Sequence, residues 1–188
     1  DKKMYGSFFQ IIHLFSPTGD QDDMVKHLKI PKKNIHTKPS EEDLINIIEK
    51  QNKLVKSRGI EWTGKNSRVL IIFDDIVANR KFLSGEGMLK LATMGRHSLI
   101  SSIINTQSYT KIPRAIRLQA NAVILFPSSM NEVELLVADH CPPHKSKKQF
   151  RELVETATEG KHDFLYIMCS QPVETRFRKC FHSYLKMQ

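Results

Sequence analysis

A chain of 188 residues, 40% of them hydrophobic, suits one globular domain with a full core, and two domains would be a squeeze. No run approaches the roughly 18 to 20 apolar residues that span a bilayer, and no signal-type segment follows the charged amino end Asp1-Lys2-Lys3, so a soluble intracellular protein is expected. Cys141, Cys169 and Cys180 are odd in number and lack a C-x-x-C spacing, which argues against a disulfide framework and for reduced thiols. The net charge of +9 attracts polyanions, nucleic acid first, although the chain is only 8% aromatic and shows little of the aromatic and basic interleaving of single-strand binders.

Along the chain, apolar β-rich runs alternate with segments of helical spacing, the signature of an α/β fold. The run Phe8 to Phe15 ends in Ser16-Pro17-Thr18-Gly19, a strand followed by a turn. Ser40-Glu41-Glu42-Asp43 resembles a capping box opening a helix whose Leu44, Ile47, Ile48, Gln51, Leu54 and Val55 share one face. Val69-Leu70-Ile71-Ile72-Phe73 is the most apolar run and ends in Asp74-Asp75, as a central parallel strand buried on both faces would. A helix is expected from about Phe82 to Met94, leading to Gly95-Arg96-His97, then a strand from Leu99 to Asn105 ending in Thr106-Gln107-Ser108. Ala122 to Phe126 reads as a short strand and the stretches 131–140 and 144–157 as helices. Asp163 to Met168 and Glu174 to Phe181 read as two last strands that pair as a hairpin.

Ligands of open α/β sheets bind at the carboxyl ends of the strands, which gathers Asp74, Asp75, Thr106 and Gln107 around one crevice. An apolar run followed by two acids has the Walker B form: the first carboxylate holds Mg²⁺ through its water shell and the second polarises the water that attacks a γ-phosphate. The plainer alternative is that two acids end a buried strand and cap the next helix. A Walker B motif needs a phosphate loop, G-x-x-x-x-G-K-[ST]. Gly59 to Lys65 has the glycine and lysine spacing, but Asn66 stands where Ser or Thr should ligate Mg²⁺, and the segment connects a helix to a strand rather than a strand to a helix. It is read as a connection with Trp62 packing nearby.

The ordered set Phe15-Ser16-Pro17-Thr18, Val69 to Asp75, Gly95-Arg96-His97, Ile103 to Tyr109 and Ile112-Pro113-Arg114-Ala115-Ile116-Arg117 resembles the packaging ATPases of large nucleocytoplasmic DNA viruses, within the FtsK/HerA superfamily. The resemblance runs from about Phe8 to the end. It implies a RecA-like P-loop NTPase core, a mainly parallel sheet flanked by helices, with the family's Walker A loop on a strand and helix preceding Phe8. One ATPase domain over residues 1–188, lacking that element, is the expectation. The resemblance further implies ATP and Mg²⁺, double-stranded DNA, a homo-oligomeric ring, capsid or portal partners, and action in the host cytoplasm or the virion. Residue by residue, Asp74 becomes the Mg²⁺-associated acid, with Thr106 beside the nucleotide. Asp75 becomes the water-activating partner, one methylene shorter than the Glu of many relatives. Gln107 matches the polar sensor on the strand next to Walker B, or else satisfies a loop backbone. Arg96 falls where the superfamily carries an arginine finger reaching into the neighbouring subunit, with Arg114 and Arg117 as rivals and a plain surface arginine as the alternative.

Other features carry less. His140, Cys141 and His144 lack a second ligand pair at zinc-finger spacing, so a structural role is expected. Lys145, Lys147, Lys148 and Arg151 form either a DNA-facing surface or a solvated helix face. Arg176, Arg178 and Lys179 alternate with apolar neighbours and offer one electropositive stripe. Two functional classes stay open: a motor ATPase subunit, and a catalytically silent nucleic-acid-binding or assembly module of the same fold.

Overall fold

The computed structural model describes residues 8–19 and 23–187; the charged amino end Asp1-Lys2-Lys3 lies outside them. The chain divides into two compact units, residues 1–116 and 117–188.

The first unit is built on a parallel sheet of four strands: β1 (Ile11–Phe15), β2 (Ile35–His36), β3 (Val69–Asp74) and β4 (Ile100–Asn105), ordered β2-β1-β3-β4. In register, Ile11 faces Val69 and Val69 faces Ile100, so partners in register, and every second residue from them along each strand, share a face. Phe15, Val69, Ile71 and Phe73 point to one side, against Leu44 and Ile48 of α2 (Glu41–Arg58) and Met88 and Leu91 of α5 (Glu86–Met94). Phe15, Phe73 and Phe82 cluster with ring centroids 5.2 to 6.0 Å apart. Each such ring withdrawn from water contributes about 1.5–3 kcal/mol. The other side is thinner. Leu14 packs there with Val25 of α1 (Asp23–Leu28), Ile30, and partly buried Ile12, Ile35 and Ile72, while Ser101 and Ile103 of β4 stay exposed.

Local chemistry explains the boundaries. Ser40 caps α2 as its spacing predicts, its hydroxyl accepting from the Asp43 amide. Buried Gln51 donates to the Ser67 carbonyl at 2.6 Å. The expected helix from Phe82 to Met94 is two helices: α4 (Arg80–Leu83), capped by Asn79, and α5, whose start at Gly85 has no side-chain cap of its own. Glu41 supplies one across the fold, its carboxylate accepting from the Gly87 amide at 3.0 Å. Gly59 to Lys65 does connect α2 to β3, and it does so as a helix: after Gly59 (φ 82) the backbone forms α3 (Ile60–Asn66), with Trp62 45% exposed rather than packed.

The second unit has an antiparallel sheet ordered β5-β6-β7-β8, from β5 (Ala122–Leu125), β6 (Leu165–Met168), β7 (Phe177–Lys179) and β8 (Ser183–Tyr184). The expected C-terminal hairpin is the β6–β7 pair. Its second strand is shorter than expected because Pro172, with its fixed φ, opens a helical turn, α9 (Val173–Arg176), before β7. A short helix, α6 (Arg114–Arg117), precedes β5, and helices α7 (Met130–His140) and α8 (Lys147–Ala157) match the expected helical stretches. Ser146 and Gln149 close a reciprocal capping box at α8. Phe150, Leu153, Val154 and Ala157 of α8 are buried, as are Val123, Leu125, Leu165, Ile167 and Phe177 of the sheet, with Phe150 edge-on to Phe177 at 5.4 Å.

Candidate functional site

Three neighbouring parallel strands deliver polar side chains to one end of the first sheet. Asp74 ends β3, Asn105 ends β4 directly opposite it, and Ser16 follows β1. Parity puts all three on the thinly covered face. There the Asn105 amide donates to Asp74 Oδ1 at 2.7 Å, and the Ser16 hydroxyl, itself buried, reaches Asp74 Oδ2 at 3.5 Å. One carboxylate beside a hydroxyl is an all-oxygen set, suited to a Mg²⁺ ion that keeps most of its water. The amide holds the carboxylate in one orientation.

Asp75 behaves differently. It adopts the left-handed region (φ 51, ψ 33), heads the 3-10 turn Ile76–Ala78 without capping it, and is exposed. It lines a cleft of about 340 Å³ together with Pro17, Lys38 and Asn79. Two consecutive acids thus divide, one held by hydrogen bonds and one open to solvent. Thr106 is occupied locally: its hydroxyl accepts from the Ser108 amide at 3.0 Å and meets the Ser108 carbonyl at 3.1 Å, a side-chain turn that ends β4. Gln107 is exposed in that turn, one step beyond Asn105 and Thr106. Sequence reasoning singled out Gln107 and passed over Asn105 and Ser16, because only strand register shows which residues stand level with Asp74.

The arginine candidates separate. Arg96 is exposed in the 3-10 turn Gly95–Ser98, before β4 begins, so the six residues of that strand, about 20 Å of chain, divide it from Asn105. A single copy cannot bring Arg96 and Asp75 to one phosphate. In the second unit Arg117 is buried, its Nε donating to Asp139 at 2.7 Å between side chains only 6% and 1% exposed, which makes it a core ion pair. Gly59 to Lys65 offers no phosphate cradle: Thr63 and Ser67 amides bond helically to Gly59 and Thr63 carbonyls, and Lys65 pairs with Glu61 at 2.8 Å. Among the described residues no group of three His, Cys, Asp or Glu could hold a metal ion. No described helix is long and apolar enough to cross a membrane.

His13, on the other face of β1, is strongly perturbed. Burial, then His36, then Lys50 lower its pKa from 6.5 to about 4. Its Nδ1 lies 3.2 Å from His36 Nε2, and His36 Nδ1 lies 3.6 Å from Asp43.

A parallel sheet followed by an antiparallel sheet is a fold this chain shares with solved viral genome-packaging NTPases. The packaging NTPase B204 of Sulfolobus turreted icosahedral virus 2, solved with AMP, is similar over 94% of this chain and 87% of its own (TM-score 0.63, 13% identity). The same protein with AMPPCP gives 0.60 over 95% and 88% at 13% identity. The DNA-packaging ATPase B204 of Sulfolobus Turreted Icosahedral Virus gives 0.58 over 91% and 82% at 12% identity. At such identities the likeness is one of fold. The chain belongs to the poxvirus A32 protein family, whose sequence model matches residues 2–186. A search of curated proteins found no match.

Proposed function

We propose that this chain is the carboxyl-terminal part of an ATP-driven motor of the FtsK/HerA kind that moves double-stranded viral DNA into a capsid. The observation that carries the reading is the convergence of Ser16, Asp74 and Asn105 at three adjacent strand tips, with Asp75 turned out beside them. Family membership gives it a viral setting, and the fold is shared with proteins described as genome-packaging NTPases and solved with AMP or AMPPCP.

In this reading ATP is the substrate. Asp74, oriented by Asn105, holds Mg²⁺ through water, and the ion when bound offsets charge on the phosphates. Asp75 orients the attacking water and accepts its proton, with the exposed Gln107 amide beside the γ-phosphate. Thr106 shapes the turn that presents Gln107. Arg96, too far from its own Asp75, serves the neighbouring subunit of a homo-oligomeric ring. Capsid or portal components are the expected partners, in the infected cell's cytoplasm or the virion. The phosphate loop belongs on a strand, loop and helix outside residues 1–188, completing one ATPase domain. Two features support this: among the described residues β4 ends the first sheet with one edge unpaired, and Ser101 and Ile103 beside that edge are exposed, Ile103 by 53%.

The helical state of Gly59 to Lys65 favours a second reading for the chain by itself, a nucleic-acid-binding or assembly module without hydrolysis. The test is steady-state ATPase of the parent protein, with and without duplex DNA, and of its Asp75→Asn and Arg96→Ala variants. A motor loses DNA-stimulated turnover in both, and Arg96→Ala recovers on mixing with Asp75→Asn subunits, which supply the intact arginine. Saturating ATP without turnover in the intact parent would leave the silent module.

A further inference from the structure

Sheet β5–β8 buries one face and leaves the other open. Ile124, Tyr166, Arg178 and Tyr184 stand opposite one another on consecutive strands, so they form a single row across the open face. Parity adds Phe126 and Phe164 above that row, and Phe181 follows on the turn from β7 to β8. These rings touch: Phe126 to Phe164 at 5.3 Å, Phe164 to Phe181 at 4.9 Å, Tyr166 to Phe181 at 5.3 Å. Phe126, Phe181 and Tyr184 are nonetheless more than half exposed. A contiguous ring surface open to water on a folded domain marks an interaction site.

Its charge says what kind. Arg178 lies over the Tyr184 ring at 4.5 Å, and one of its Nη groups donates to the Phe181 carbonyl at 3.2 Å. Its Nε is buried, with no acceptor among the described residues. A guanidinium over an aromatic face, with one Nη group anchored to a carbonyl, presents a cation that fits a phosphate or a base edge. Residues 175–188 contain Arg176, Arg178, Lys179 and Lys186 and no Asp or Glu. Lys179 is committed to Asp163 at 2.9 Å and Arg176 to the Gln171 carbonyl at 3.0 Å, which leaves Arg178 as the central cation of the row. Rings and a cation without a carboxylate match a polyanion carrying flat apolar groups. Bases of a duplex are stacked on each other and unavailable, whereas unpaired bases stack readily on aromatic side chains of a sheet.

We propose that the open face of sheet β5–β8 binds single-stranded nucleic acid, with bases stacked on Phe126, Phe181 and Tyr184 and the backbone held by Arg178. The sparse aromatic and basic interleaving of the linear sequence becomes dense here because four strands bring distant residues side by side.

The test uses fluorescence anisotropy of the chain with a short labelled oligothymidine and with a duplex of equal length, at one fixed salt concentration. The wild type should prefer the single strand. Phe181→Ala/Tyr184→Ala, both at exposed positions, should weaken that binding about tenfold or more, Phe181→Tyr/Tyr184→Phe should retain it, and Lys81→Ala on α4 should leave it unchanged. Circular dichroism verifies that every variant is folded. Equal affinity for duplex and single strand, unaffected by the ring deletions, would overturn the proposal in favour of plain phosphate attraction. Absence of oligonucleotide binding, with a sedimenting dimer dispersed by the double alanine variant, would make the face a contact between copies and overturn it as well.

Discussion

At Asp75 the backbone and the chemistry pull in opposite directions. An aspartate in the left-handed region gives up about 1 kcal/mol that glycine would keep, and the turn exposes its carboxylate. Asp75→Gly should therefore raise the chain's stability by up to about 1 kcal/mol in urea denaturation, while the same change in the parent protein removes ATP turnover. A variant no more stable than wild type would mean that the turn is not strained. Arg117 makes the opposite case. Arg117→Met leaves the Asp139 carboxylate buried without its cation and should cost about 3–5 kcal/mol, whereas Arg96→Ala, at an exposed position, should stay within about 0.5 kcal/mol. Thermal melts of the two variants decide this, and an Arg117→Met melt matching wild type would return Arg117 to the finger candidates. In the bare sequence these two arginines look alike. Burial separates them, and burial depends on Asp139, 22 positions away. The acid pair was legible because an apolar run ending in two acids is a local pattern, while Ser16 and Asn105 reach Asp74 only through register between strands distant in sequence.

Among the elements, the buried runs were the easiest to read: β3, β1 and the capped face of α2 stand where spacing predicts, since burial writes their pattern directly. Short pieces held by tertiary contact left no such trace. The two-residue strands β2 and β8 are too brief for any period, and the break between α4 and α5 turns on Glu41, more than 40 positions upstream, capping Gly87. The packing of β1, β2 and α2 carries a pH dependence. His13 on β1 faces His36 on β2 and Lys50 on α2, with Asp43 on the far side of His36. Its folded pKa of about 4 lies below the ordinary 6.5, so the fold favours the neutral ring. Stability is then complete above about pH 6.5 and is lost as pH falls towards about 4, where the buried ring must charge. His140, also lowered by burial, acts in the same direction in the second unit. His13→Gln should flatten the fall in urea midpoint between about pH 7 and about pH 4 without abolishing it. A midpoint falling as steeply in the variant would assign the acid sensitivity to His140 and the carboxylates instead.

For the molecule as a whole, the distribution of polar groups bears on what this chain can do by itself. In the proposed reading its crevice supplies groups to orient a metal and a water, but the groups that grip phosphates in a P-loop enzyme are backbone amides ahead of a helix, with one lysine. The glycine-lysine spacing at Gly59 to Lys65 stands after a helix rather than after a strand, and its lysine is paired with Glu61. Among the described residues the first sheet meanwhile stops at β4 with an unpaired edge and an exposed Ile103, where a further parallel strand and its helix would bury apolar surface. The chain of 188 residues should accordingly show no ATP hydrolysis above background with Mg²⁺ and duplex DNA, and only weak nucleotide binding. A parent protein that includes a strand, phosphate loop and helix should show both activities. Phosphate release from the two proteins, side by side and each with its Asp74→Ala variant, is the comparison to make. A robust rate from the 188-residue chain, lost in Asp74→Ala, would mean that the crevice grips phosphates with side chains of its own, Lys38 at the Asp75 cleft being the first to mutate.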